Sequence, residues 1–246
     1  MLADILLCSH PRSGGRWLRY LLAHYLAARH ELGVQVTPQT VFSVVPDHAQ
    51  EGHRGYRAFG FNGRRGLPLA AVCHQPYTWE LHRGFPVVFL ARNAYDVMVS
   101  AYAYYTREKP EYAGSMREFI RHPRLGLGAW VEYVNGWAPT LLTHRDSVKL
   151  SYRELDADPA AALERVLAFL NQTPDPALVR AAVQSAEEMR SARGIRTGQE
   201  GNFWDHLQPD EIFDIQDQVE RGLSRHAVAL LQSMGVELDP FPRSAS

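Results

Sequence analysis

A chain of 246 residues is long enough for one large α/β domain or two small ones. Hydrophobic residues make up 46% and charged residues 22%, a balance that excludes disordered and fibrous classes. The net charge of −1 gives no bulk attraction for nucleic acid or an acidic membrane, so any anion site must be local. The apolar start from Met1 to Cys8 is too short for a signal peptide, and no run of about 18 apolar residues offers a membrane span. Cys8 and Cys73 both fall in apolar runs, which predicts two reduced, buried thiols rather than a disulfide. These features predict a cytoplasmic protein.

The first apolar run, Ile5 to Cys8, stops at Ser9 and His10 and gives way to a small turn with two glycines. Leu18, Leu21, Leu22, Tyr25 and Leu26 then recur at helical spacing, predicting a helix from Gly14 to about Arg29. Strand, tight loop and helix in that order point backbone N–H groups at one spot, at the positive end of the helix dipole. Arg12 and Arg16 add forked cationic donors to the same cradle. The Gly-Lys-Ser/Thr ending of a nucleoside-triphosphate loop is absent, because Arg16 and Trp17 stand there. An ordinary Gly-containing turn and an anion cradle both fit this stretch.

Residues 32–68 read as irregular and basic, either a surface loop or an acceptor-binding segment. Residues 70–74 and 86–91 read as buried strands, the second β-branched without alternation, as in a parallel sheet. Asn93 is placed to cap a helix running to about Thr106, with Arg92 and Ser100 about two turns apart. Trp130, Val134 and Trp137 share the core face of a helix over about 125–142. A strand over 148–152, helices over about 159–170 and 176–188, a loop over 191–207 and a helical C-terminal part to about Met234 complete the pattern. Alternating strands and helices predict a single three-layer α/β domain over residues 1–246, with a central parallel sheet flanked by helices.

Together these segments resemble the sulfotransferases that use 3′-phosphoadenosine 5′-phosphosulfate (PAPS), whose fold is similar to that of P-loop NTPases. His10-Pro11-Arg12-Ser13-Gly14-Gly15-Arg16-Trp17 is similar to the family's Tyr-Pro-Lys-Ser-Gly-Thr-Thr-Trp loop for the 5′-phosphosulfate. The run from Arg92 through Asn93 and Asp96 to Ser100 matches its Arg-Asn-Pro-x-Asp-x-x-x-Ser segment for the 3′-phosphate. Arg196 to Leu207 resembles its Arg-x-Gly-x-x-Gly-Asp-Trp-x-x-His-Phe segment. The Trp130–Trp137 helix and Tyr152-Arg153-Glu154-Leu155 resemble two further family segments.

The resemblance implies an enzyme that moves a sulfuryl group from PAPS to a hydroxyl, less readily an amine, leaving 3′-phosphoadenosine 5′-phosphate (PAP). It implies cofactor binding by Arg12, Ser13, Gly14, Gly15, Arg16, Trp17, Arg92, Ser100, Tyr152, Arg196, Thr197 and Gly198, with no metal. Trp17 and Tyr152 would flank adenine. His74, in Val72-Cys73-His74-Gln75-Pro76, corresponds to the family's base, and Arg12 to its loop Lys. A structural role for a lone strand-end His stays open beside this one. The loop threonines are replaced by Gly15 and Arg16, and Val72 stands where the family often has a second Lys. A nucleotide kinase and a non-catalytic PAP-binding relative are the rival readings. The implied acceptor is a small molecule, carbohydrate or lipid, and a homodimer is left open.

Overall fold

The computed structural model describes residues 3–48, 61, 64–143, 146–192 and 200–241. Four apolar runs form strands β1 (Ile5–Ser9), β2 (Ala70–Cys73), β3 (Val87–Ala91) and β4 (Ser147–Ser151). They pair in parallel in the order β2-β1-β3-β4. Alternate residues feed opposite cores: Ile5 and Leu7 face one, Leu6 and Cys8 the other. Burial on both faces is why these strands read as continuous apolar runs.

Helices cover both faces. Against the first core lie α1 (Gly15–Arg29) and, further along the chain, the helices over Pro159–Phe169 and Pro176–Ala192. On the opposite face, the helices over Ala94–Ala103, Leu127–Thr143, Pro209–Gly222 and Arg225–Ser233 close the second core. In chain order, α2 is Trp79–His82, α3 Ala94–Ala103, α4 Met116–Ile120, α5 Leu127–Thr143 and α6 Tyr152–Ala157. The remaining helices are α7 (Pro159–Phe169), α8 (Pro176–Ala192), α9 (Pro209–Gly222) and α10 (Arg225–Ser233). The expected three layers are present. Trp130, Val134 and Trp137 are buried on α5, as their spacing requires, although Pro139 lies inside that helix. Both cysteines are buried and free.

Three expectations need correction. Tyr152 does not end β4 but opens α6, because Ser151 caps that helix in a reciprocal box with Glu154. The helix expected over 176–188 continues to Ala192. Part of the segment read as irregular is tied to the sheet, with Val72 N donating to Pro46 O (2.8 Å) and His48 N to Val72 O (2.7 Å). That pairing covers the otherwise open edge of β2, and the buried Arg19 on α1 fixes it through an ion pair with Asp47.

The strand order sets where a ligand goes. β1 and β3 are neighbours, and the chain leaves β1 toward β2 but leaves β3 toward β4, so the two connections diverge and open a crevice between their carboxyl ends. The loop at 10–14 follows β1, His74 follows β2, Arg92 follows β3 and Tyr152 follows β4. Residues far apart in sequence are thus delivered to one edge of the sheet.

Candidate active site

The loop after β1 has the geometry of a cradle. Arg12 (φ 70°) and Gly14 (φ 98°) are left-handed, which turns successive amides toward one point. A Cβ on Gly14 would lie 2.6 Å from Tyr152 Cδ2, and one on Gly15 would lie 2.2 Å from Ser9 Oγ. Gly14 caps α1 without a side-chain hydrogen bond, which leaves its first amides for a ligand. The hydroxyls of Ser9 and Ser13 are buried and have no hydrogen-bond partner among the described residues. Donors in want of an acceptor, at a helix N-terminus, suit an anion.

Arg12 leans across this loop toward α3. Its Nε donates to Ser100 Oγ (3.1 Å), its Nη2 lies 3.6 Å from Glu108 Oε1, and its guanidinium sits 4.7 Å from the Tyr104 ring centroid. Tyr104 and Glu108 belong to a π-helical turn, Tyr104–Glu108, that continues α3. Burial lowers the Arg12 pKa and Glu108 opposes that shift; a guanidinium keeps its charge regardless. Ser100, matched by sequence to the 3′-phosphate segment, is therefore bonded to the loop cation in this structure. Arg16 is exposed at the start of α1. Trp17 is nearly buried and tilted 56° to Tyr152 with centroids 6.2 Å apart, so the two rings do not form a parallel slot.

The second cluster surrounds Arg92. This buried guanidinium lies 4.1 Å from the Tyr152 ring centroid and 3.5 Å from Asp96 Oδ2. Asn93 caps α3 as predicted, accepting from Asp96 N (2.8 Å), while its Nδ2 donates to Asp96 Oδ2 (2.8 Å) and Glu200 Oε1 (3.0 Å). Asp96 also accepts from Gly201 N (2.8 Å) and Phe203 N (3.2 Å). Phe203 is buried and stacked on Tyr95 at 4.9 Å. The end of the third sequence segment is thereby fastened to the start of α3. Arg196, Thr197 and Gly198 lie outside the described residues. Asp96 and Glu200 lie within the matched segments but are not among the residues the resemblance implies for binding; for Asp96 the sequence signal is an acid three residues after an Asn cap.

His74 stands at the mouth of the crevice. Its Nδ1 donates to the carbonyl of Ser9 (2.8 Å), which leaves Nε2 as the acceptor. The ring abuts the loop: Cε1 is 3.5 Å from where a Cβ on Gly15 would lie. Surrounding protein lowers its pKa below that of an ordinary imidazole, the Ser9 bond opposes this, and the positive charges of Arg19 and Arg16 lower it further. The backbone on either side is held by Tyr133 OH donating to Cys73 O (3.4 Å) and Trp137 Nε1 donating to Gln75 O (3.0 Å). Among the described residues no His, Cys, Asp and Glu side chains gather into a group able to hold a metal ion. None of the described helices is long and apolar enough to cross a membrane.

Comparison with known proteins places this geometry in context. Residues 81–225 match the model of the sulfotransferase domain, a span that takes in Arg92, Ser100 and Tyr152 and begins after His74. The chain is 24% identical to human (Homo sapiens) sulfotransferase 2A1 over 229 residues, covering 90% of this chain and 76% of that protein. It is 27% identical over 180 residues to Rattus norvegicus sulfotransferase 2A2, covering 70% and 61%. In fold it is similar to mouse sulfotransferase SULT7A1 complexed with PAP, with a TM-score of 0.67 at 17% identity, covering 95% of this chain and 88% of that one. A sulfotransferase from Alicyclobacillus acidocaldarius superposes with a TM-score of 0.55 at 14% identity, covering 97% and 98%.

The hydrogen bonds to Asp96 make it the fastening point of the second cluster. Asp96→Ala removes the carboxylate beside a buried guanidinium and the acceptor of the Gly201 and Phe203 amides, and a loss of about 3–5 kcal/mol of folding stability is expected. Urea denaturation checks this, and a loss under about 1 kcal/mol would contradict the role.

Proposed function

The chain belongs to the sulfotransferase family, and on that premise we propose that it transfers the sulfuryl group of PAPS to a hydroxyl oxygen of a small-molecule, carbohydrate or lipid acceptor, releasing PAP. Support comes from one observation above all: two buried hydroxyls without a partner among the described residues (Ser9 ending β1 and Ser13 in the loop after it), an imidazole with Nε2 left as acceptor and a buried guanidinium meet at the carboxyl end of the sheet. A donor charged at both ends of its adenosine needs two separated anion sites, and the loop after β1 and the Arg92 cluster are two such sites.

In this reading the 5′ end of the donor sits against the first amides of α1, Ser13 and Arg12. The 3′-phosphate lies near Arg92, and Trp17 and Tyr152 turn to flank the adenine. Arg196, Thr197 and Gly198, which the family resemblance implies for the 3′ side, lie outside the described residues. The acceptor hydroxyl attacks sulfur in line with the bond to the 5′-phosphate oxygen, as that bond breaks. Its proton passes to Nε2 of His74, whose Nδ1 is already committed to Ser9. Arg12 stabilises the charge left on the phosphate by hydrogen bonding, since a guanidinium gives up no proton at neutral pH. For this to happen Arg12 must exchange Glu108 and Ser100 for the ligand's oxygens.

Calorimetric titration with PAP, with ADP and AMP as controls, tests the donor site. PAP should bind selectively, and Arg92→Ala should weaken it at least about tenfold, one charge-assisted contact being worth roughly 1.5–3 kcal/mol. Equal binding of ADP, or of neither, would contradict the proposal. With an acceptor found in a panel of phenols, sugars and lipid alcohols, His74→Ala should slow transfer by roughly 10²–10⁴. Because the imidazole must be neutral and its pKa is lowered, the acid limb of kcat/KM should lie below about pH 6.5. Activity falls as pH drops through that limb, and the limb should vanish in the variant.

A further inference from the structure

Glu200 is a carboxyl group beside a cluster built to attract anions. It precedes Gly201, whose amide is held by Asp96, so its backbone is fixed against the start of α3. One oxygen, Oε1, accepts from Asn93 Nδ2 at 3.0 Å. The other, Oε2, is buried and has no hydrogen-bond partner among the described residues. The groups facing it are Asn93, Arg92 after β3, Asp96 on α3 and Arg153 on α6. Among the described groups, ionised Glu200 adds a carboxylate to Asp96 beside Arg92 and Arg153 and so weakens the attraction for a phosphate dianion. With Glu200 neutral, the same groups leave a net positive charge. An ionised carboxylate is also an acceptor only, useless to a phosphate oxygen, whereas a protonated one has an O–H to give.

Resting on the reading of Arg92 as the 3′-phosphate site, we propose that Glu200 is a donor-site residue that works as the neutral acid. Its Oε2 takes up a proton from solvent as the 3′-phosphate arrives and donates the resulting O–H to a phosphate oxygen. No covalent bond of the nucleotide changes, and the proton returns to solvent when the nucleotide leaves. The electrostatics favour this direction: burial first, and then the charge of Asp96, raise the Glu200 pKa, against the bond from Asn93 and the charges of Arg92 and Arg153. A phosphate dianion nearby raises it further, so the bound state holds more protons and affinity falls as pH rises through the window between the two values. The phosphate's own second ionisation, near about 6, works in the opposite sense, since cationic partners favour the dianion and expel its proton.

The test is calorimetric binding of PAP to the full chain between pH 6 and 8, in buffers of different ionisation enthalpy, which counts the protons exchanged. Wild-type protein should take up protons relative to the Glu200→Gln variant, its Kd rising with pH more steeply than the variant's by up to about tenfold per unit. Glu200→Gln, which keeps a hydrogen-bond donor and has no charge, should abolish the uptake and leave only the proton release at about pH 6 that the phosphate's own ionisation causes. Glu200→Ala should also abolish the uptake but bind more weakly than the Gln variant, having lost the donor. Thermal unfolding of each variant confirms that it is folded. Uptake unchanged in both variants, while Arg92→Ala still weakens PAP, overturns the role of Glu200 alone. Failure of wild-type protein to bind PAP, or binding indifferent to Arg92→Ala, overturns the donor site and this proposal with it.

Discussion

Asp96 is the constraint on which the site depends. A carboxylate with almost no exposure accepts from the side chain of Asn93 and from the amides of Gly201 and Phe203, and lies beside Arg92. Those partners come from two stretches of the chain, the turn from β3 into α3 and the segment that leads into α9. A buried guanidinium without a carboxylate beside it would be costly, and so would a carboxylate without donors. The mutual satisfaction of these groups holds the Arg92 cluster at a fixed place relative to the loop after β1, because β1 and β3 are hydrogen-bonded neighbours. The spacing between the two sites is a property of the sheet.

The loop cation is the part that has to move. Arg12 is a planar fork tied to Ser100, near Glu108 and over Tyr104, whereas a lysine at the same place would be a point charge on a flexible stem. The exchange of Ser100 and Glu108 for ligand oxygens trades one set of acceptors for another, so the cost of freeing Arg12 is partly offset by the contact it makes. The π-helical turn that carries Tyr104 and Glu108 is an extension of the helix whose other end holds Asn93 and Asp96. One helix therefore touches both the Arg12 loop and the Arg92 cluster.

Much of this was legible in the sequence, and the reasons are local. The parallel strands showed themselves as apolar runs without alternation, α1 by its leucine spacing, and the Asn93 cap by a polar residue directly before an apolar helix. Ser151 and Ser115 each stand three residues before a glutamate, a capping signature that marks the starts of α6 and α4 and ends β4 before Tyr152. The bond between Arg12 and Ser100 and the burial of Glu200 were not legible, because they depend on which strand ends become neighbours. The tilt of Trp17 against Tyr152 has the same origin: composition gives two aromatic rings, and only packing gives the angle between them.

The central claim is that two anion sites on one sheet edge hold the two ends of a single nucleotide. Phosphorus NMR of PAP reads both ends in one spectrum. On titration with the protein, the 5′- and 3′-phosphate resonances should both shift, and Arg92→Ala should return the 3′ signal toward its free position while the 5′ signal still responds. A perturbed 5′ resonance beside an unmoved 3′ resonance in the wild-type protein would contradict the account.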